Sequence, residues 1–206
     1  MGLLEFFTQK ELVYMSNHID FYFDIISPYA YIAHKKILEH KNILFNYKPI
    51  YLGGLHKLAG INSPVFNKYK LRNNINDCNL VSKKNNIEFK WNSNFPINSL
   101  NIMRGYISIS KDKQKDYLNC FFDAYWKDNH DLSNAENISK LIRDLKINSE
   151  EFFQSIKKQS VKDKLIKLTT DAFEKEVFGT PTFIINNKIF WGQDRLEYAL
   201  EEINNN

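Results

Sequence analysis

Hydrophobic and polar residues alternate in two short stretches near the start of the chain, and a helical pattern separates them. Ile19–Ile26 alternates aromatic and aliphatic residues around two aspartates, which predicts a β-strand. Ser27 and Pro28 follow as a suitable N-cap and first helical residue, and apolar positions then repeat with helical spacing through Leu38. Ile43–Leu52 alternates again. The order strand, helix, strand predicts a right-handed βαβ unit.

The middle of the chain, from about Pro64 to Ala172, has helical periodicity. One apolar face with helical spacing is formed by Leu118, Phe121, Phe122, Tyr125 and Trp126. Ser133 and Glu136 have the spacing of a capping box and predict the start of one helix, and Asn148 predicts the start of another. Short polar turns separate these segments, so the whole region is expected to be helical.

The last part of the chain returns to strand patterns. Thr182–Ile185 and Lys188–Trp191 are runs of β-branched and aromatic residues, and the Asn-Asn pair between them tolerates the positive φ angles of a tight turn. A hairpin is therefore predicted, with Trp191 at its end in the core. Asp194 has the sequence context of an N-cap, and the pattern predicts a final helix through Ile203.

This order of elements predicts an α/β fold, a thioredoxin-like domain with a large inserted all-helical domain. Residues 18–60 and 176–206 are expected to form the thioredoxin-like domain, 61–175 the inserted domain, and 1–17 an N-terminal extension. Because neither the βαβ unit nor the hairpin has a full core alone, the two ends of the chain are expected to pack together.

Composition narrows the function classes. The chain has 206 residues, of which 43% are hydrophobic, with 16 Phe and 11 Tyr, so it can bury a real core and is not disordered. Its net charge is +4 and its lysines are scattered, which argues against nucleic acid as a partner. The sequence contains neither the ~18-residue apolar run of a membrane span nor a signal-peptide core, so a cytoplasmic protein is expected.

Two cysteines, Cys78 and Cys120, lie far apart in the sequence. A disulfide scaffold needs more cysteines, and there is no CxxC, CxxH or clustered histidine pattern. No metal site is therefore predicted, and a dithiol redox centre is not expected.

Two short motifs are candidates for chemistry. Ser27-Pro28-Tyr29-Ala30 begins a helix, where free N–H groups and the helix dipole favour an anion such as a thiolate, although Ser27 could serve as a cap alone. In Gly179-Thr180-Pro181, the peptide bond before the proline is trans or cis. If it is cis, the backbone of Thr180 can pair with an extended peptide ligand.

Four segments taken together resemble a known family. They are DFYFDIISPYAY at Asp20–Tyr31, PIYLGGLHKLAG at Pro49–Gly60, FPINSLNIMRG at Phe95–Gly105 and VFGTPTFIINNKIFWGQDRLEYAL at Val177–Leu200. The chain resembles the 2-hydroxychromene-2-carboxylate isomerase family, in the DsbA-like branch of the thioredoxin superfamily that also contains kappa-class glutathione transferases. The resemblance runs in unbroken order from about His18 to Ile203.

The resemblance implies glutathione as the cofactor, bound by the thioredoxin-like domain, and a role for each of several residues. Ser27 is expected to activate the glutathione thiol as the catalytic residue. Ser27 and Ala30 occupy the two cysteine positions of a CxxC motif, so the protein itself cannot exchange a dithiol there. The other glutathione-binding residues implied are Asn62, Thr180, Pro181, Gln193 and Asp194, and the implied substrate-binding residues are Lys57 and Asn98.

The expected reaction is ring opening and cis–trans isomerisation of 2-hydroxychromene-2-carboxylate to trans-o-hydroxybenzylidenepyruvate, by reversible addition of the glutathione thiolate. A homodimer is also implied.

Two alternative functions stay open. Leu52–Leu55 followed by Lys57 is nearer to the kappa-class pattern and favours a glutathione transferase or peroxidase. A glutathione-binding module without catalysis is the third hypothesis, under which Asp194 could be a helix cap only.

Overall fold

The computed structural model describes residues 18–204, so the predicted extension at 1–17 lies outside the described residues. The strands β1 (His18–Phe23), β2 (Leu44–Pro49), β3 (Thr182–Ile185) and β4 (Lys188–Trp191) form a mixed sheet in the order β2-β1-β3-β4. β1 is parallel to β2 and antiparallel to β3, and β3 and β4 form a hairpin. The predicted βαβ unit and terminal hairpin are confirmed, and both contribute to this sheet.

The helices follow the predicted order. A helix connects β1 to β2, and the region between β2 and β3 is helical, with no further strand among its described residues. The helices are α1 (Pro28–Ile37), α2 (Leu52–Leu58), α3 (Lys68–Lys84), α4 (Leu100–Ser108), α5 (Lys111–Trp126), α6 (Ala135–Asp144), α7 (Ser149–Ser155), α8 (Gln159–Glu174) and α9 (Leu196–Asn204). The thioredoxin-like fold with an inserted helical region is confirmed.

Two strand ends differ from the prediction. β1 ends at Phe23 rather than Ile26, because a turn begins at Asp24, whose carbonyl accepts from the Ser27 N–H at 3.1 Å. β2 ends at Pro49, and α2 begins at Leu52, where the alternating pattern predicts strand. The apolar pattern continues past the end of each strand, because the residues of the turns that follow are also largely buried. The pattern alone therefore predicts strands that are too long.

Two predicted helix caps are also wrong by a residue or more. The N-cap of α6 is Asn134 rather than Ser133, and its side chain accepts from the Glu136 N–H at 2.8 Å. Asp194 lies inside a short 3-10 turn, Gln193–Arg195, and α9 begins only at Leu196. In both places the tertiary path of the loop decides where the helix begins.

One hydrophobic core joins the sheet to the inserted helices. Phe21, Phe23 and Phe183 lie on one face of the sheet and belong to the same buried cluster as Phe122 and Trp126 of α5. The other face of the sheet carries a smaller cluster of Tyr22, Ile50, Leu55, Ala172 and Val177. The larger core therefore crosses the predicted division between the two domains.

No helix within residues 18–204 is long and apolar enough to cross a bilayer. The same residues contain no group of three or more His, Cys, Asp or Glu side chains placed to hold a metal ion. Cys78 is buried and Cys120 is partly buried, and both are free thiols.

Candidate active site

Ser27 lies where β1 gives way to α1. It is the N-cap of α1, with Pro28 as the first helical residue, as predicted. Its hydroxyl accepts from the Ala30 N–H at 3.2 Å and donates to the carbonyl of Thr180 at 2.9 Å. A serine hydroxyl has one proton, so in this arrangement the proton points to Thr180. Ser27 is therefore both a cap and a member of a long-range contact.

The Thr180–Pro181 peptide bond is cis, which decides between the two alternatives left open by the sequence. Thr180 is buried, and its side-chain hydroxyl has no hydrogen-bond partner among residues 18–204. The Pro181 carbonyl accepts from the Gly192 N–H at 2.9 Å. Gly192 has φ +116°, a conformation that favours glycine, so the chain can turn tightly here. This bond joins the cis-proline loop to the segment that carries Gln193 and Asp194.

Gln193 and Asp194 are adjacent in sequence but differ in exposure. The Gln193 side chain is buried, and its Oε1 accepts from Lys36 Nζ at 2.9 Å. Asp194 is 57% exposed, and its carboxylate lies 3.3 Å from the guanidinium of Arg195. Asp194 therefore presents a negative charge to solvent. Lys36 of α1, a residue that sequence reasoning missed, is near enough for the Asp194 carboxylate to act on the pKa of its ammonium.

The other predicted site residues are exposed and lie on different segments. Lys57 is in the last turn of α2, and Asn62 is in the loop that follows it. Asn98 precedes α4, and its side chain accepts from the Leu100 N–H at 3.0 Å. None of the three has a hydrogen bond to Ser27 or Thr180 within the described structure. Their binding roles stay predictions.

Sequence reasoning missed Asp24, three residues before Ser27. Its carboxylate is fully buried and accepts hydrogen bonds from the Ile26 N–H, the Leu52 N–H and the Ser99 hydroxyl. Burial raises the pKa of Asp24 to about 6, although these donors act to lower it. An acidic residue inside an otherwise apolar strand pattern was the available signal, since a buried aspartate needs specific partners.

An exposed aromatic pair flanks the cis-proline loop. The rings of Phe178 and Trp191 lie 4.8 Å apart, and Trp191 is 54% exposed, so the prediction that Trp191 is a core residue is wrong. Its indole lies over Gly179, where a Cβ atom would come within 2.7 Å of the indole nitrogen. The strand that carries Trp191 is at the edge of the sheet, which leaves this ring open to solvent.

Comparison with known proteins gives consistent matches. A family model described as a DSBA-like thioredoxin domain matches residues 18–204. The 2-hydroxychromene-2-carboxylate isomerase of Sphingobium xenophagum is 23% identical over 189 residues, which are 89% of this chain and 96% of that protein. A solved structure of 2-hydroxychromene-2-carboxylate isomerase has a TM-score of 0.84 at 23% identity, over 91% of this chain and 95% of that chain. Glutathione S-transferase kappa 1 of Caenorhabditis elegans is 44% identical over 50 residues, 22% of either chain.

Proposed function

The chain belongs to the DSBA-like thioredoxin domain family, and on that premise we propose that it is a glutathione-dependent isomerase of the 2-hydroxychromene-2-carboxylate isomerase type. The observation that carries the proposal is Ser27, whose hydroxyl lies at the start of α1 against the carbonyl before the cis-proline. A site with a hydroxyl in this place can activate a thiol but cannot form a disulfide, so the thiol must come from a bound molecule. The named isomerase relative supports the reaction class.

Glutathione, when bound, supplies the thiolate that adds reversibly to an electron-poor carbon of the substrate. Ser27 stabilises that thiolate by turning its proton away from Thr180, while the start of α1 contributes its N–H groups and positive dipole end. The Thr180 carbonyl then becomes an acceptor for a peptide N–H of the ligand. The residues present fit a small peptide thiol, since Thr180 has both a carbonyl and an unpartnered buried hydroxyl here.

The γ-glutamyl end of glutathione carries an ammonium and a carboxylate. Three neighbouring residues suit these charges, namely Lys36, Gln193 and Asp194. The exposed Asp194 carboxylate attracts the ammonium. Lys36, held by Gln193, provides a positive charge for the carboxylate. Gln193 is proposed to act through its backbone, because its side-chain oxygen already accepts from Lys36.

The proposal is tested by calorimetric titration with glutathione and by the ultraviolet absorbance of the bound thiolate as pH is varied. We expect saturable binding to the wild type and a higher pKa of the bound thiol in Ser27→Ala. Ser160→Ala is the matched control, because Ser160 is exposed and remote from this group of residues in the sequence. No binding at millimolar glutathione would overturn the proposal.

Transfer of glutathione is the second candidate, and the kappa-class match favours it. Isomerisation returns glutathione unchanged, whereas transfer leaves it on the product. Mass analysis of the products from 2-hydroxychromene-2-carboxylate and from an alkylating or arylating electrophile separates the two. A cytoplasmic homodimer stays a prediction from the sequence resemblance.

A further inference from the structure

The Asp24 carboxylate joins three segments that are distant in sequence. Oδ1 accepts from the N–H of Ile26 at 3.2 Å, within the turn that precedes Ser27. Oδ2 accepts from the N–H of Leu52 at 2.8 Å and from the hydroxyl of Ser99 at 2.9 Å. Leu52 is the first residue of α2, and Ser99 is the N-cap of α4.

Each of the three segments carries or adjoins a residue predicted from the sequence to belong to the site. The turn before Ser27 begins at Asp24, whose backbone carbonyl accepts from the Ser27 N–H. The backbone and the side chain of Asp24 therefore both stabilise this turn. α2 carries Lys57 and leads into the loop with Asn62. Asn98 immediately precedes Ser99. A shift of the Asp24 side chain would therefore move all three segments relative to one another.

The neighbours of Asp24 favour an ionised carboxylate. The N–H groups of Ile26 and Leu52 can only donate, whereas the Ser99 hydroxyl, which donates here, can also accept. A neutral carboxyl accepts more weakly than a carboxylate, so protonation would weaken the bonds from the two N–H groups. Yet the group is fully buried, and no cationic side chain forms a salt bridge with it among the described residues. Burying a charge with neutral donors alone is costly, and groups of this kind concentrate at functional sites.

We propose that Asp24, in its ionised form, is the positioning residue of this site, holding Ser27 and the first turns of α2 and α4 in the arrangement that binds glutathione. The inference rests on the proposed function. Asp24 acts through Ser27 and the two helix starts, and it is not proposed to contact glutathione or substrate. Protonation of Asp24 weakens its hydrogen bonds to these segments and thereby weakens binding.

Other titratable and charged groups lie on the elements that contact Asp24. Tyr51, before α2, has a pKa raised by burial and stays neutral, and Arg104 lies on α4. Lys57 is exposed on α2. His56 of α2 is the group to control for, because it lies four residues after Leu52 and burial lowers its pKa from 6.5.

The first experiment follows the backbone amides of Ile26, Ala30 and Leu52 by NMR as the free protein is titrated. We expect a common transition near pH 6 in the wild type and in His56→Gln, because Asp24 has a pKa of about 6. The transition should be absent in Asp24→Asn. Ala30 is informative because its N–H donates to Ser27 Oγ. A wild-type Ala30 amide that does not move with the other two would overturn the proposal.

A second variant keeps the test valid if Asp24→Asn does not fold. Ser99→Ala removes one donor to Oδ2, and that hydrogen bond lowers the pKa of Asp24. The common transition should therefore move to higher pH in Ser99→Ala. A transition that stays where it is in the wild type would contradict the assignment to Asp24.

The second experiment measures the affinity for S-methylglutathione, which has no thiol to ionise. We expect affinity about tenfold lower at pH 5 than at pH 7, because only about a tenth of Asp24 is ionised there. Asp24→Asn should show no such change, and His56→Gln should retain it. Affinity that is equal at the two pH values would overturn the role of Asp24 but leave the proposed function standing. No binding at either pH would overturn the proposed function itself.

Discussion

At the scale of single residues, His34 illustrates how a polar group is accommodated in the core. The ring is buried between the hydroxyl of Tyr47, 3.0 Å from Nδ1, and Oδ1 of Asn119, 2.7 Å from Nε2. Because an amide oxygen can only accept, Nε2 carries the proton and Nδ1 accepts from Tyr47. Burial lowers the pKa of His34 to about 4, so this arrangement requires a neutral ring.

The stability of the protein should therefore depend on pH through His34. The folded-state pKa lies below the unfolded value of 6.5, so the stabilisation is complete above pH 6.5 and is lost as pH falls towards 4. Between pH 7 and about pH 4.5 the loss should be about 2–3 kcal/mol. Urea unfolding at both pH values measures it. His34→Gln, which cannot titrate, should lose less stability than the wild type over this range, and an equal loss would refute the prediction.

At the scale of elements, two helices begin at residues whose side chains accept hydrogen bonds from the N–H groups of the first turn. Ser27 caps α1, and Asn148 caps α7 by accepting from the Glu150 N–H at 2.9 Å. The two caps have the same local chemistry. They differ in that Ser27 also contacts Thr180, while Asn148 lies outside the candidate site.

Because of this difference, the two caps allow an effect on stability to be distinguished from an effect on the bound thiol. Asn148→Ala should lower the free energy of unfolding by about 1 kcal/mol, through loss of the cap. Ser27→Ala should lower it by about 1–3 kcal/mol more, because the buried carbonyl of Thr180 also loses its donor. Only Ser27→Ala should raise the pKa of a bound glutathione thiol. Chemical denaturation and thiolate absorbance measure the two effects. A similar change in thiol pKa in Asn148→Ala would mean that cap loss alone explains it.

At the scale of the whole molecule, the inserted helices and the sheet are joined at the site itself. The indole of Trp126, at the end of α5, donates to the carbonyl of Ile25 at 2.8 Å, within the turn between β1 and Ser27. Trp126 is fully buried, and its ring packs against Phe89, Trp91 and Phe95. The helical region thus supports the turn that presents Ser27.

Because one core joins both regions, we expect them to unfold together. Far-ultraviolet circular dichroism and tryptophan fluorescence should report a single coincident transition in urea. Trp126→Phe keeps an aromatic ring but leaves the Ile25 carbonyl without its donor, and it should cost about 1–3 kcal/mol. Two separate transitions in the wild type would show that the inserted helices form an independent unit.

Local signals in the sequence determined the order of elements and several of their ends. Ser27-Pro28 predicted the start of α1, and the Asn186-Asn187 pair predicted the hairpin turn, where φ is 51° and 60°. These features depend on residues that are near neighbours in the chain, such as a side chain and the N–H groups of the next turn. The sequence therefore carries them without knowledge of the rest of the fold.

Only the tertiary structure decided which residues meet at the site. Ser27 and Thr180 are 153 positions apart, and no local pattern indicates that their oxygen atoms meet. The same holds for Asp24, whose partners Leu52 and Ser99 lie on separate helices, and for Lys36 with Gln193. Burial and charge at these positions depend on how distant segments pack. For that reason the sequence resemblance implied a thiol-activating serine, whereas only the folded chain shows a buried carboxylate in the turn before it.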